Sequence, residues 1–330
     1  MSKDGNGNIT VKAANTEIDN SVKRAGTTVV VGYSLSSASY DNNTRSIGQV
    51  NNSNSIVFNG DGSKMFVIGS DNDHVYSYNL STAYDISSAS YNQSFDVSGQ
   101  DGGATSVTFS GDGTKMFVTG VWYNNVYSYD LSTAYDISSA SYNRKRDVYF
   151  EDSDARGITF NGDGTKLFMV GNDNDDVYSY DLSTAYDLGS ASYNQNFDVS
   201  GQDSGPKSVR FNGDGTKMFV AGDDTNNVYS YNVSTAYDIG SASYNQSYDV
   251  SGQDSKPTGV AFKGDGTKMF VMGRSTENAY SYNLSTAYDL SSASYNQSYD
   301  VSGQDSKPAG VAFNGDGTKM FAVGTENDNV

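Results

Sequence analysis

Apolar and polar positions alternate with a period of two over short stretches of this chain, and the stretches themselves recur. In Val126 to Leu131, Tyr127, Tyr129 and Leu131 alternate with Ser128 and Asp130, the pattern of a half-buried strand. Gly259 to Phe262 and Lys268 to Gly273 read as two further strands joined by a Gly-Asp-Gly turn, whose glycines tolerate the backbone of a tight hairpin. Ser88 to Ser98 reads as a fourth. Helical periodicity is scarce.

The Gly-Asp-Gly triplet begins at Gly60, Gly111, Gly162, Gly213, Gly264 and Gly315, and the tyrosine ending each Ser-Ala-Ser-Tyr segment at Tyr40, Tyr91, Tyr142, Tyr193, Tyr244 and Tyr295, always 51 residues apart. A period of this length with four strands per unit predicts an all-β, six-bladed β-propeller of four-stranded antiparallel blades. Residues 1–26 form a polar N-terminal arm and 27–330 the propeller. The chain opens inside one unit and stops at Val330 inside another. The expectation is therefore a last blade closed by both termini, with Val311 to Gly324 giving its inner strands and Thr27 to Ser46 its outer ones.

Composition narrows the functional classes. A net charge of −18 opposes binding to phosphate backbones, so nucleic acid is not an expected partner. The absence of cysteine excludes both a disulfide framework and thiolate chemistry. Residues 1–25 lack a signal-peptide pattern, and no apolar run is long enough to cross a bilayer. These features lead to an expectation of soluble cytoplasmic synthesis without membrane insertion, the product ending in a virion or on an extracellular surface.

The segment FNGDGTKMFV followed by VYSYDLSTAYD, across about residues 27–330, resembles the YVTN and WD40-like propeller repeats of bacterial surface proteins. The stretch STAYDISSASYNQS is similar to repeat proteins of marine bacteria and tailed phages. These resemblances imply the propeller fold. Their functional implication is broad, because propellers host many unrelated activities.

Gly162 to Lys166 (GDGTK) lacks the spacing and helix of a phosphate loop. Ser110-Gly-Asp112-Gly departs from a sialidase Asp-box, and the seven arginines form no evident carboxylate-binding triad. His74, the single histidine, stands where other units carry Asn125, Asp176, Asn227, Asn278 and Asn329. No catalytic residue is assigned, and the chain is expected not to be an enzyme. The acidic loops Asp71-Asn-Asp73, Asp173 to Asp176, Asp223-Asp224 and Glu326 to Asp328 offer calcium-type oxygen ligands without an EF-hand. The expectation is no cofactor and no assigned metal residue, with structural calcium as the alternative.

Among near-identical units, departures from consensus mark selection for something other than fold. Blade two departs most. It carries Val121-Trp122-Tyr123 in a loop that is polar elsewhere, and Asn143-Arg144-Lys145-Arg146 to Arg156 where other blades have NQSFDVSGQDSKP. Trp122, Tyr123, Tyr149, Phe150 and Arg156 are the predicted ligand- or partner-binding residues, a set suited to sugar stacking or a protein contact. Arg210 replaces small residues such as Ala261 and Thr108 on an inner strand, which predicts that it faces the central channel. The leading expectation is a binding or structural protein: a phage virion component (decoration, fibre-associated or receptor-binding) or a surface adhesin, with virion proteins, surface proteins or a host glycan as partners. The alternatives are a calcium-dependent propeller hydrolase, lactonase-like or glycan-cleaving, and an intracellular protein-interaction scaffold.

Overall fold

A computed structural model describes residues 53–69, 73–222, 224–303, 307–314 and 317–324, together with 33–35, 38 and the pairs 2–3, 9–10, 23–24 and 27–28. Most of the predicted arm, most of Thr27 to Ser46, and Asp71, Asp223, Glu326 and Asp328 lie outside the described residues.

The second strand of each unit is apolar at every central position because both of its faces are buried. In Lys64–Gly69, Met65, Phe66, Val67 and Ile68 are all inaccessible to solvent. Met65 and Val67 pack in a cluster with Tyr76, Tyr78 and Phe321, whereas Phe66 and Ile68 point the other way, to Met116 and Tyr129 of the next unit. Alternate side chains of one strand thus serve two cores, and each sheet is fixed to both neighbours. The third strand, Asn125–Leu131 in the second unit, pairs with Lys115–Gly120 and with the outer strand Ala140–Asp147.

The turns explain two recurrent motifs. In the Gly-Asp-Gly element only the second glycine needs to be glycine: Gly62 has φ +71°, and an added Cβ would lie 2.1 Å from the Tyr84 ring. Tyr84 itself adopts φ 56°, donates its N–H to Gly62 O at 2.9 Å and lays its ring against Phe58. Aspartates serve the turns as well. Asp61 accepts the N–H of Ser63 at 2.9 Å, and Asp85 caps the 3₁₀ turn Ile86–Ser88 by accepting the N–H of Ser87.

Five four-stranded antiparallel sheets follow in order, the first being Ser53–Phe58, Lys64–Gly69, His74–Leu80 and Ala89–Asp96. After them comes a sheet of only two strands, Pro308–Phe313 and Met320–Gly324. The prediction of six four-stranded blades is therefore corrected: among the described residues there are five four-stranded blades, and the sixth unit contributes a two-stranded sheet. The small sheet is nevertheless embedded in the ring. Phe321 packs with Ile56 and Val67 of the first blade, and Phe313 against Phe270 of the fifth. From the N-terminal side Tyr33 reaches the same sheet, donating its N–H to Gly317 O at 2.6 Å with φ 64°, as Tyr84 does to Gly62.

Candidate functional site

The inner strands converge on one axial cavity of 190 Å³, lined from all six sheets by residues such as Ser55, Thr105, Gly157, Ser208, Thr258 and Val311. Its polar character follows from strand position. The outer face of each inner strand feeds a core, so the cavity is left to hydroxyls, glycines, the edges of aliphatic residues such as Ile56 and Ile158, and a few exceptional charged side chains.

Those exceptions are all basic. Arg156 on Ala155–Phe160, and Lys207 and Arg210 on Pro206–Phe211, line the cavity from the third and fourth blades, where other units place Thr105, Thr258, Thr108 or Ala261. None of the six inner strands contains an acidic residue. One wall of the channel is therefore cationic in a chain whose net charge is −18.

The three cations are held differently. Arg156 pairs with Asp154 at 2.6 Å, Asn172 Nδ2 donates to the same carboxylate at 3.2 Å, and Lys207 Nζ donates to Asn172 Oδ1 at 2.8 Å. Asp154, Arg156, Asn172 and Lys207 thus form one network joining two blades. Arg210 donates to the carbonyl of Val209 at 2.9 Å. No carboxylate among the described residues pairs with it. Its side chain meets channel solvent, and the surrounding mass of protein, by desolvating the guanidinium, lowers its pKa from the ordinary value. An arginine remains charged at neutral pH despite such a shift.

The predicted site residues divide between two places. Trp122, Tyr123, Tyr149 and Phe150 are all exposed, on two loops of the second blade joined where Val148 N–H donates to Asn124 O at 3.0 Å. Tyr149 and Phe150 meet edge to face at 5.8 Å. Arg156 does not join them, because it belongs to the channel wall. Arg210 lies where its sequence position predicted. The basic run is structural: Arg144 pairs with Asp187 of the next blade at 3.6 Å, in the place where Gln93 reaches Asp136 at 2.6 Å, and Arg146 lies over the Tyr180 ring at 5.0 Å.

Sequence reasoning missed Lys207. The signal was available, since position two of the inner strand reads Thr105, Arg156, Lys207 and Thr258 in successive units. It also missed the role of the aspartate in each Ser-Gly-Gln-Asp segment. Asp101 is fully buried and accepts the N–H groups of Gly103, Trp122 and Tyr123, and Asp254 holds those of Lys256 and Thr276 in the same way. These carboxylates tie the loops of one rim together. Among the described residues no group of three or more histidine, cysteine, aspartate or glutamate side chains is placed to hold a metal ion. His74 stacks on Tyr76 at 5.8 Å, and no described helix is long and apolar enough to cross a membrane.

The architecture defines a β-propeller, and solved structures agree. No protein-family model and no curated protein matches the chain. A proposed 6-phosphogluconolactonase from Bacteroides uniformis is 10% identical, with 82% of this chain and 78% of that one covered at a TM-score of 0.60. The periplasmic gluconolactonase of Pseudomonas aeruginosa is 16% identical over 82% and 72% of the two chains, TM-score 0.54. The β-propeller domain of Cps50 (Swd1) from Myceliophteria thermophila is 12% identical over 85% and 95%, TM-score 0.54. At these identities the likeness is one of fold. The expectation that the chain is not an enzyme is nevertheless corrected: propellers similar to it are named as lactone hydrolases, so lacking a histidine- or serine-based constellation does not exclude catalysis.

Proposed function

We propose that the chain is a lactone hydrolase of small polyhydroxy compounds that carry an anionic group or release one on hydrolysis, acting at the axial cavity. The observation that carries this reading is the cationic wall of Arg156, Lys207 and Arg210 in an otherwise acidic chain. A cavity of 190 Å³ suits a single sugar-sized molecule. Its hydroxyl lining matches a polyol, and the guanidinium groups suit a carboxylate or phosphate. Fixed cations on the cavity wall also stabilise the oxyanion that forms when water adds to a lactone carbonyl. The added water supplies the hydroxyl of the product carboxyl, the ring carbon–oxygen bond breaks, and the ring oxygen takes up a proton to give a polyhydroxy acid. The proton of the attacking water leaves to solvent in the channel, and Asp154 holds Arg156 in place on the wall. The names of two similar structures support the same reaction class.

The virion or adhesin role has the exposed aromatics of the second blade as its support, and ranks second.

Acid release from gluconolactone and 6-phosphogluconolactone, with purified protein against buffer, tests the proposal. Turnover above the spontaneous rate is expected, and Lys207→Ala or Arg210→Ala should raise KM by about 10–100-fold, the loss of one charged hydrogen bond. No acceleration with either lactone would end the reading.

A further inference from the structure

The loop pair that carries Trp122 differs from its counterparts in a coordinated way. In the third, fourth and fifth blades a serine two positions before the inner strand bonds the residue equivalent to Trp122. Ser153 bonds Asp173, Ser204 bonds Asp224 at 2.7 Å, and Ser255 bonds Ser275 at 3.0 Å. The second blade replaces both partners, with Gly102 and Trp122. The indole then lies along the Gly102–Gly103 backbone. A Cβ on Gly102 would sit 2.4 Å from its Cε3 and Cζ3, and one on Gly103 would sit 2.6 Å from its Cδ1.

The platform is anchored from below, because the N–H groups of Trp122 and Tyr123 both donate to the buried Asp101 carboxylate, at 3.3 and 3.1 Å. One side of the indole is therefore covered by backbone while the residue remains 69% exposed. Tyr123 follows it in the same loop, and Tyr149 and Phe150, the latter at 92% exposure, stand on the second loop, joined to the first where Val148 N–H donates to Asn124 O.

We infer that Trp122 on its glycine bed is the base of a binding site for a neutral carbohydrate. A rigid aromatic plane with one open face takes the apolar face of a pyranose ring without new ordering cost. Area argues for a sugar over a protein. Four aromatic side chains of about 150–250 Å² each, more than half exposed, present on the order of 500 Å², short of the ~800 Å² per partner in a stable protein interface. Charge argues for neutrality of the ligand, since a surface at −18 repels acidic glycans.

Trp122 is the only tryptophan, so its emission reports this site alone. The probes are soluble β-glucan, galactomannan and chitin oligosaccharides, titrated against fluorescence and run as affinity gels. At least one is expected to shift the emission and retard the protein. Trp122→Ala should weaken that binding by at least about tenfold. Gly102→Ser, which installs the residue other blades tolerate and evicts the indole from its bed, should do the same while retaining the wild-type melting temperature. Absence of any shift and retardation across all three probes overturns the inference. So does an emission change that follows protein concentration instead of sugar, which would mark a contact between copies.

Discussion

At the scale of single residues, near-identical units act as internal controls for one another. Asp176 is buried where other blades carry Asn125, Asn227 and Asn278, and its Oδ1 has no hydrogen-bond partner. Desolvation raises its pKa, against the hydrogen bond from Asn196 that lowers it. Since the folded state favours the protonated form, the charged carboxylate costs stability at neutral pH, and that cost disappears as pH falls through the raised value. Asn125, by contrast, donates to the Tyr123 carbonyl at 2.9 Å and the Tyr127 hydroxyl at 3.0 Å. Asp176→Asn is therefore expected to stabilise the protein by about 0.5–2 kcal/mol in denaturant titrations at pH 7, with less gain at pH 4. The same internal comparison made Arg210 and the Trp122 loop legible in the sequence. Arg156 misled because it adjoins the aromatic segment in the chain, whereas strand direction delivers it to the axis.

At the scale of elements, the four-strand unit was legible because its turns and alternation repeat without insertion. The second strand showed why a continuous apolar run belongs in an antiparallel blade: both faces are buried, one in each neighbouring core. The triplet turn was legible as a turn, but sequence did not distinguish its two glycines. Gly113 has φ +71° with the Tyr135 ring over it, whereas Gly111 has open space where a Cβ would go. Gly113→Ala is thus expected to cost about 1–3 kcal/mol and Gly111→Ala less than ~0.5, measured by chemical denaturation. Equal costs would contradict the assigned geometry.

At the scale of the whole molecule, the 51-residue period conveyed the radial arrangement but overstated the number of four-stranded blades, since a motif count weighs every unit alike, whereas the described residues form five four-stranded sheets and the two-stranded sheet Pro308–Phe313 with Met320–Gly324. The repeated turns also give the molecule a common response to acid. Hydrogen bonds lower the carboxyl pKa of Asp61, Asp112, Asp163 and Asp214. Asp265 falls to about 2, where partial burial opposes the shift and the bonds from Lys263 and Thr267 prevail. A depressed folded-state pKa contributes stability above the unfolded value of about 3.9 and loses it as pH falls toward the folded value. Melting temperature should accordingly hold from about pH 7 to 5 and drop between about pH 4 and 2; a midpoint that rises on acidification through that window would contradict the turn assignments.

The channel wall emerges as one feature only at this scale, because Arg156 of the third blade and Lys207 and Arg210 of the fourth meet when the ring brings their inner strands to one axis. That wall is the central claim, and calorimetric titration with a polyhydroxy acid such as gluconate, at low and high salt, tests it most directly. The account predicts one site per chain, weakened by salt and lost in a Lys207→Ala/Arg210→Ala double variant that retains the wild-type melting temperature. Absence of binding to the wild-type protein, or equal binding to both proteins, would contradict it.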